Sequence, residues 1–196
     1  MNDIEKQEIK TIKEIIQKPQ KDFIHKTFVL NIKTGGLNAY TDAICEITLK
    51  ELGKENFKTW TVAPQQKLYA QSAFDVNGLS LDKIKHGDSL NMILRDLLSR
   101  LQGCCTIIGH NVEFNLKFLL QALKEEKLTI PTIHYICTMD MAKKKLLKKT
   151  RTNNGQVDNY KLVTLYNYFF NDFIEELAHT NSYDVEMTEK IYNKLK

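Results

Sequence analysis

A run of basic side chains is the first feature of this sequence that could do chemistry, because clustered positive charge attracts phosphate groups. Six cations fall between positions 143 and 151 with no acidic residue among them: Lys143, Lys144, Lys145, Lys148, Lys149 and Arg151. The chain has 28 basic and 24 acidic residues, net +4, and without this run 22 basic residues would face 24 acidic ones. The positive charge is therefore local. A phosphate-rich partner and a solvated helix face both fit this pattern.

Cysteine side chains could bind a metal or form disulfides. The four cysteines are Cys45, Cys104, Cys105 and Cys137. None forms a Cys-x-x-Cys pair, and all lie in apolar runs typical of strands. We therefore predict buried, reduced thiols rather than a zinc site or a disulfide framework.

The elements that must position these groups follow from hydrophobic periodicity. Apolar and β-branched runs predict strands near residues 28–32, 43–49, 57–62, 104–108 and 133–137. Helical spacing predicts helices over about residues 90–101, 113–126, 140–149, 162–170 and 183–195. Three consecutive strands followed by alternating strands and helices indicate an α/β domain, with a mixed central sheet flanked by helices.

The first 22 residues are predicted to form a helical extension before the main domain, which spans residues 23–196. Five isoleucines lie near helical spacing between Asp3 and Lys18, and Pro19 ends the pattern. The helix has two possible roles, packing on the main domain or docking a protein partner.

Composition excludes several classes of protein. Hydrophobic residues make up 42% and charged residues 27% of the 196 residues, values that are ordinary for one globular domain. No stretch approaches the length of an apolar membrane span, and the charged N-terminus has no signal-peptide core. We therefore expect a cytoplasmic protein with no membrane partner.

Three segments, in order, resemble motifs of one nuclease family. They are FVLNIKTGGL at 28–37 followed by DAICEI at 42–47, GHNVEFNLKFL at 109–119, and HTNSYD at 179–184. The family patterns are D-x-E-T-T-G-L with I-x-E-I, G-H-N-x-x-F-D-x-x-F-L, and H-x-x-x-x-D. The connecting stretches DVNGLS at 75–80 and YKLVTL at 160–165 fit as well. Residues 27–196 thus resemble the DnaQ-like (DEDDh) 3′–5′ exonucleases, of which the proofreading domain of DNA polymerase III epsilon is a type.

The resemblance implies an RNase H-like fold and a site that holds two Mg²⁺ or Mn²⁺ ions with four carboxylates. Those four positions are occupied here by Asn31, Lys33, Asn115 and Asp184, so three carboxylates are missing. His179 stands where the family keeps its general base. Only the two remnants His179 and Asp184 match, and Asp184 is the one metal ligand left.

The loss changes the charge of the site. Asn31 and Lys33 are two apart on a strand and therefore point to the same face. Asp184 and Lys33 together bring the formal charge to zero, whereas four carboxylates bring −4. Since Mg²⁺ prefers anionic and carbonyl oxygens, we expect no metal cofactor and no catalysis by the family mechanism. The ammonium of Lys33 either pairs with Asp184 or extends to solvent.

The resemblance implies that nucleotide binding is retained. Thr34, Gly36 and Leu37 match the family's contacts to a 3′-terminal nucleotide, although Gly35 replaces a Thr. His110, Asn111 and Phe114 match the second motif, where Asn111 fits a structural cap as well as a ligand contact. The expected ligand is single-stranded nucleic acid or a 3′ end, either DNA or RNA.

Three functions follow from these patterns. The leading one is a degenerate exonuclease domain kept for nucleic-acid binding or scaffolding, with a polymerase or another replication or repair protein as partner. The second is an active exonuclease with substitute ligands, for which Glu113 is the best candidate, or an inactivated variant of an active enzyme. The third is a protein-interaction module that uses the N-terminal helix.

Overall fold

The structure is a computed structural model that describes residues 26–101, 105–149, 159–170, 172–177 and 180–196. The predicted N-terminal helix therefore lies outside the described residues, as do Cys104, Arg151 and His179. The side chains at positions 147–149, which include Lys148 and Lys149, are also outside the description.

The described residues form five strands, seven α-helices and one short 3₁₀ turn. The strands are β1 (Lys26–Thr34), β2 (Ile44–Glu51), β3 (Phe57–Thr61), β4 (Cys105–Gly109) and β5 (Ile133–Cys137). The helices are α1 (Gln71–Asn77), α2 (Leu81–Ile84), α3 (Leu90–Leu101), α4 (Val112–Glu125), α5 (Thr138–Lys149), α6 (Leu162–Phe169) and α7 (Asn181–Leu195). The 3₁₀ turn covers Glu175–Leu177.

The strands make one mixed sheet in the order β3-β2-β1-β4-β5. β1 pairs antiparallel with β2, and β2 pairs antiparallel with β3. β4 lies parallel to both β1 and β5. The predicted mixed sheet flanked by helices is therefore confirmed.

β1 is the central strand and is buried on both faces, which explains its unbroken apolar run at residues 28–30. Phe28, Leu30 and Ile32 pack in the main core together with leucines of α3 and α4. On the opposite face Val29 packs with Val185 of α7. Because side chains alternate along a strand, Asn31 and Lys33 share the Val29 face, where α7 lies.

α1 and α2 are the two helices that periodicity does not predict. They have seven and four residues, which is too short for a helical period to show in the sequence. α1 ends at Gly78, whose φ of 66° is accessible to glycine at little cost. These two helices nevertheless lie close to the site described below.

The predicted burial of the cysteines is confirmed for Cys45 and Cys105. Cys45 and Cys105 are buried, and Cys137 is partly buried. Burial, with a smaller effect from the charge of Glu46, raises the pKa of Cys45 to about 12. Among the described helices none is long and apolar enough to cross a membrane.

Candidate functional site

Three of the four predicted ligand positions meet in one pocket beside β1. The amide nitrogen of Asn31 donates to a carboxylate oxygen of Asp184 at 3.2 Å. The amide nitrogen of Asn115 lies 3.4 Å from the carbonyl oxygen of Leu30 and 3.5 Å from the amide oxygen of Asn31. The three motifs, which are far apart in sequence, thus converge as the resemblance implies.

Each member of this amide pocket, Asn31, Asn115 and Asp184, is held by a different element. Asn31 lies on β1 on the face that α7 covers, and Asp184 lies in the first turn of α7. Asn115 is in the first turns of α4, which follows β4, and it is buried. Because β1 and β4 are neighbours, the start of α4 is brought to the side of β1.

Asn181 is a fourth polar member of the amide pocket that the sequence analysis missed. Its amide oxygen accepts a hydrogen bond from the Asn31 nitrogen at 2.8 Å, shorter than the contact to Asp184. Its own amide nitrogen is buried and has no hydrogen-bond partner among the described residues. Since Asn181 is three residues before Asp184, both lie on one face of α7, and this spacing is the signal that could have revealed it.

Lys33 takes a position that neither alternative from the sequence describes fully. Its side chain is only 3% exposed, so the prediction that it extends to solvent is wrong. The ammonium donates to the carbonyl oxygen of Asn77 at 2.9 Å. Burial lowers the pKa of Lys33, while the nearby charges of Asp184 and Glu46 raise it. Asp184 therefore acts on Lys33 electrostatically, and the hydrogen bond goes to the end of α1.

Of the acidic residues near the motifs, Glu113 is engaged elsewhere and Glu46 lies beside Lys33. Glu113 is exposed and accepts a hydrogen bond from the Tyr135 hydroxyl at 2.9 Å, at the β5 edge of the sheet. Glu46 lies opposite Lys33 in the β1–β2 pairing, and burial raises its pKa. Within the described ranges, no group of three or more His, Cys, Asp or Glu side chains is placed to hold a metal ion.

The turn after β1 is compact at its glycines and open at its tip. A Cβ on Gly36 would stand 2.0 Å from a carboxylate oxygen of Asp42, so no other residue fits without a shift. That carboxylate accepts the backbone N–H of Asn38 at 2.9 Å, which fixes the loop. Leu37, between these residues, is 87% exposed. The turn thus presents one large apolar side chain to solvent.

Local packing explains why Gly35 occupies a position where the family has a Thr. A Cβ at this position would lie 2.7 Å from the carbonyl oxygen of Leu68 and 3.1 Å from the Tyr69 ring. Thr34, buried beside it, donates its hydroxyl to the carbonyl oxygen of Gly36 at 2.6 Å. The hydroxyl of Thr34 is therefore used inside the turn.

His110 is bonded inside the protein at both ring nitrogens. Nε2 lies 2.8 Å from the carbonyl oxygen of Tyr160, which only accepts, so Nε2 carries the proton. Nδ1 then accepts from the hydroxyl of Thr138 at 2.9 Å. Burial lowers the pKa of His110 to about 4, so the neutral ring holds β4 to α5 and to the segment before α6.

The other two residues of the second motif have backbone and packing roles. Asn111 adopts a φ of 55° before α4 and makes no side-chain cap hydrogen bond. Asn tolerates this left-handed conformation better than most residues, which accounts for its presence. The ring of Phe114 lies 5.0 Å from that of Phe118 and packs against the main core.

The described part of the basic run does not form one free charged surface. The Lys145 ammonium donates to the carbonyl oxygen of Leu195 at 3.1 Å and caps the C-terminal end of α7. Lys143 lies 3.6 Å from Asp140 on its own helix, and Lys144 is exposed.

Comparison with known proteins agrees with this geometry. The exonuclease family model RNase_T matches residues 32–192. Ribonuclease T of Buchnera aphidicola subsp. Acyrthosiphon pisum (strain APS) is 28% identical over 58% of this chain and 60% of that protein. The chain therefore spans less than two thirds of this relative.

Solved structures of Exonuclease I have the same fold. The structure of E. coli Exonuclease I in complex with a dT13 oligonucleotide matches with a TM-score of 0.76 and 13% identity, over 88% of this chain and 41% of that one. An ExoI/SSB-Ct complex matches with a TM-score of 0.72 and 12% identity, over 85% and 40% of the two chains. The five-stranded mixed sheet is thus RNase H-like, and this chain corresponds to about two fifths of those proteins.

Proposed function

Because this chain belongs to the RNase_T exonuclease family, which is DnaQ-like, we propose that it is a degenerate 3′–5′ exonuclease domain. In this proposal the domain does not hydrolyse phosphodiesters by the family mechanism. It binds single-stranded nucleic acid or a 3′ end, and it serves a replication or repair assembly as a scaffold. The observation that carries the proposal is that Asn31 and Asn115 stand where the family has carboxylates, with the amide nitrogen of Asn31 donating to Asp184 and that of Asn115 contacting Leu30 and Asn31.

The residues of the amide pocket do not fit a pair of divalent ions. Asn31 directs its NH₂ group to Asp184 and to the amide oxygen of Asn181, so a donor stands where a ligand oxygen is needed. Lys33 adds a buried positive charge close enough to affect the electrostatics of Asp184. Two dications about 4 Å apart repel each other by about 4 kcal/mol even at the dielectric constant of water, and Asp184 is the one carboxylate left at the four positions to counter this.

Binding is supported by the turn rather than by the pocket. The turn keeps its glycine-dependent shape and exposes Leu37, the residue that the resemblance assigns to an apolar contact with a base. Exonuclease I, a fold neighbour, has been solved with a dT13 oligonucleotide. Single-stranded DNA is therefore the first ligand to test, with RNA of the same sequence beside it.

The proposed inactivity is tested by incubating the protein with a 3′-labelled single-stranded oligonucleotide and either Mg²⁺ or Mn²⁺. We expect no more release of labelled nucleotide than from the Asp184→Ala variant purified in the same way. A contaminating nuclease would act equally in both samples. Release by the unaltered protein that disappears in Asp184→Ala would show that the site works with substitute ligands.

The proposed binding is tested by fluorescence anisotropy with labelled oligonucleotides in EDTA. We expect affinity that is equal in EDTA and in Mg²⁺ and that weakens as salt is raised, because phosphate contacts release counterions. Absence of binding at low salt would refute the binding half of the proposal. Capture of a protein partner that is lost when residues 1–22 are removed would then favour the interaction module.

A further inference from the structure

The buried ammonium of Lys33 forms half of a reciprocal contact with α1. Its nitrogen donates to the carbonyl oxygen of Asn77, the last residue of α1. Carbonyl groups in the last turn of a helix lack intrahelical partners and lie at the negative end of the helix dipole. An ammonium is therefore a well-matched donor for this carbonyl.

The second hydrogen bond of this reciprocal contact is donated by α1 to β1. The amide nitrogen of Asn77 donates to the carbonyl oxygen of Thr34 at 2.8 Å. Thr34 follows Lys33 directly, and its hydroxyl closes the turn on Gly36. One side chain from each segment thus bonds a backbone carbonyl of the other.

α1 is tied to the same turn at its other end. The backbone N–H of Ala70, which immediately precedes α1, donates to the carbonyl oxygen of Gly35 at 2.7 Å. The N–H of Gly35 donates to Ala43 at 2.8 Å. The turn is therefore held between the two ends of a helix and the start of β2, and Lys33 supplies the ionised group in the contact between β1 and α1.

The charges around Lys33 favour keeping an ammonium at this position. Glu46 faces it from β2 and Asp184 acts on it from α7, while Lys83 opposes it from α2. Lys83 itself donates to the carbonyl oxygen of Gly78 at 2.6 Å, so its charge is also directed to the end of α1. A carboxylate in place of Lys33 would meet two acids and a carbonyl group, with no donor to offer.

We infer that Lys33 is a positioning residue, whose contact with Asn77 sets the turn at residues 34–37 for nucleotide binding without a metal ion. The identity of the ligand rests on the proposed function, whereas the positioning of the turn does not. Lys33 stands where the family has a metal-binding carboxylate. In this proposal the same residue supports the turn at residues 34–37, which binds the nucleotide.

The test compares Lys33→Met and Lys33→Arg in the full chain. Lys33→Met keeps an unbranched apolar side chain but has no donor, and Lys33→Arg restores one. We expect Lys33→Met to speed amide hydrogen exchange at least tenfold at residues 35–37, and to weaken single-stranded oligonucleotide binding in EDTA about tenfold. Lys33→Arg should recover a substantial part of both effects.

Lys50→Met is the matched control for loss of a partly buried lysine that bonds another element. Lys50 pairs with Glu189 of α7, and Glu189 also accepts the N–H of Gly53. This variant should lower the melting temperature yet leave exchange at residues 35–37 and oligonucleotide affinity unchanged. If Lys50→Met loosens the turn as much as Lys33→Met, the effect is general destabilisation and the inference is wrong.

Two further outcomes keep the inference separate from the proposed function. If Lys33→Met does not fold, Asn77→Ala removes the return hydrogen bond to Thr34, and normal exchange in that variant at residues 35–37 would overturn the inference. If the unaltered protein binds no oligonucleotide, the proposed function fails, but the exchange measurements still decide whether Lys33 positions the turn.

Discussion

Two stretches of this chain carry the residues predicted to touch a nucleotide, and the structure treats them differently. In the turn at residues 34–37, Leu37 extends into solvent. At the β4–α4 junction, His110 has both ring nitrogens bonded to protein atoms. One stretch presents a contact surface, whereas the other ties elements of the fold together.

The difference comes from partners that lie far away in the sequence. Thr138, 28 residues beyond His110, provides the hydroxyl donor to its ring, and Tyr160, 50 residues beyond, provides the carbonyl acceptor. No comparable group reaches Leu37 across the described residues, because it is the tip of a turn whose polar contacts are made by its neighbours. Two segments that match the family's motifs can therefore have different roles: one exposes a residue for binding, and the other forms internal hydrogen bonds.

The amide pocket lies between these two stretches, and restoring its carboxylates gives the largest expected effect. In the variant Asn31→Asp/Lys33→Glu/Asn115→Asp, four carboxylates meet with no ammonium among them. We expect a loss of about 3–5 kcal/mol in the free energy of unfolding in EDTA, because buried charges lose their compensation. Addition of Mn²⁺ should raise the melting temperature of this variant only.

Urea unfolding with and without Mn²⁺ makes this measurement, with Asn167→Asp as a control for an added charge. Asn167 is exposed on α6, so its change should cost less than about 0.5 kcal/mol. If the triple variant and the unaltered protein have the same free energy of unfolding in EDTA, the amide side chains do not stabilise the site in place of metal ions.

The next largest effect is a pH dependence from the β4–α4 junction. The folded-state pKa of His110 is about 4, below its ordinary value of 6.5, so the unfolded chain binds the proton first. The neutral ring of His110 therefore stabilises the folded state fully above pH 6.5, and this stabilisation is lost as the pH falls to 4. The loss in the free energy of unfolding is roughly 3 kcal/mol at most. His110→Gln should remove this part of the pH dependence.

Unfolding free energies at pH 7 and pH 4 for the unaltered protein and His110→Gln give the comparison. The exposed residue His86, changed to Gln, serves as the control for replacing a histidine. Equal slopes for all three proteins would show that His110 is not held in its neutral form, and the two stretches would then differ less than the structure indicates.

Gly36→Ala tests the closed part of the turn and is expected to cost about 1–3 kcal/mol, as overpacking does in cores. The added Cβ meets the Asp42 carboxylate, which must move and release the Asn38 N–H. Thermal unfolding of Gly36→Ala, Asp42→Ala and the double variant forms a cycle. If the two changes add without coupling, the contact with Asp42 is not the cause.

Leu37→Ala has the smallest expected effect on the fold and probes the open tip of the turn. Its unfolding free energy should change by less than about 0.5 kcal/mol, since the side chain is already in water. Oligonucleotide affinity should fall about fivefold through loss of apolar contact. Val76→Ala, at an exposed apolar site on α1, should leave affinity unchanged, and an equal loss in both would contradict a specific contact.

Much of the fold could be predicted from the sequence because its signals are local and repeated. The five strands and five longer helices follow from runs and periods of apolar residues, and the structure has them within a few positions. α1 and α2 could not be predicted, because helices this short show no helical periodicity in the sequence. These short helices matter to the site, because Asn77 at the end of α1 holds Lys33.

The site was predicted in its positions but not in its contacts. The motif order correctly indicated that Asn31, Asn115 and Asp184 would meet. Asn181 was missed, because its spacing to Asp184 indicates a shared helix face, whereas its contact with Asn31 forms only when α7 packs on β1. The direction of Lys33 was also not determined, since a long side chain can reach several partners.

The sequence by itself determined which residue types occupy the four ligand positions, and hence the charge of the pocket, because charge follows from composition alone. It also determined the sheet and the main helices through local periodicity. Only the tertiary structure decided that Lys33 points to Asn77, that His110 is bonded internally and that Leu37 remains exposed. Those outcomes depend on burial and on hydrogen-bond partners from distant segments, which become neighbours only when the chain folds.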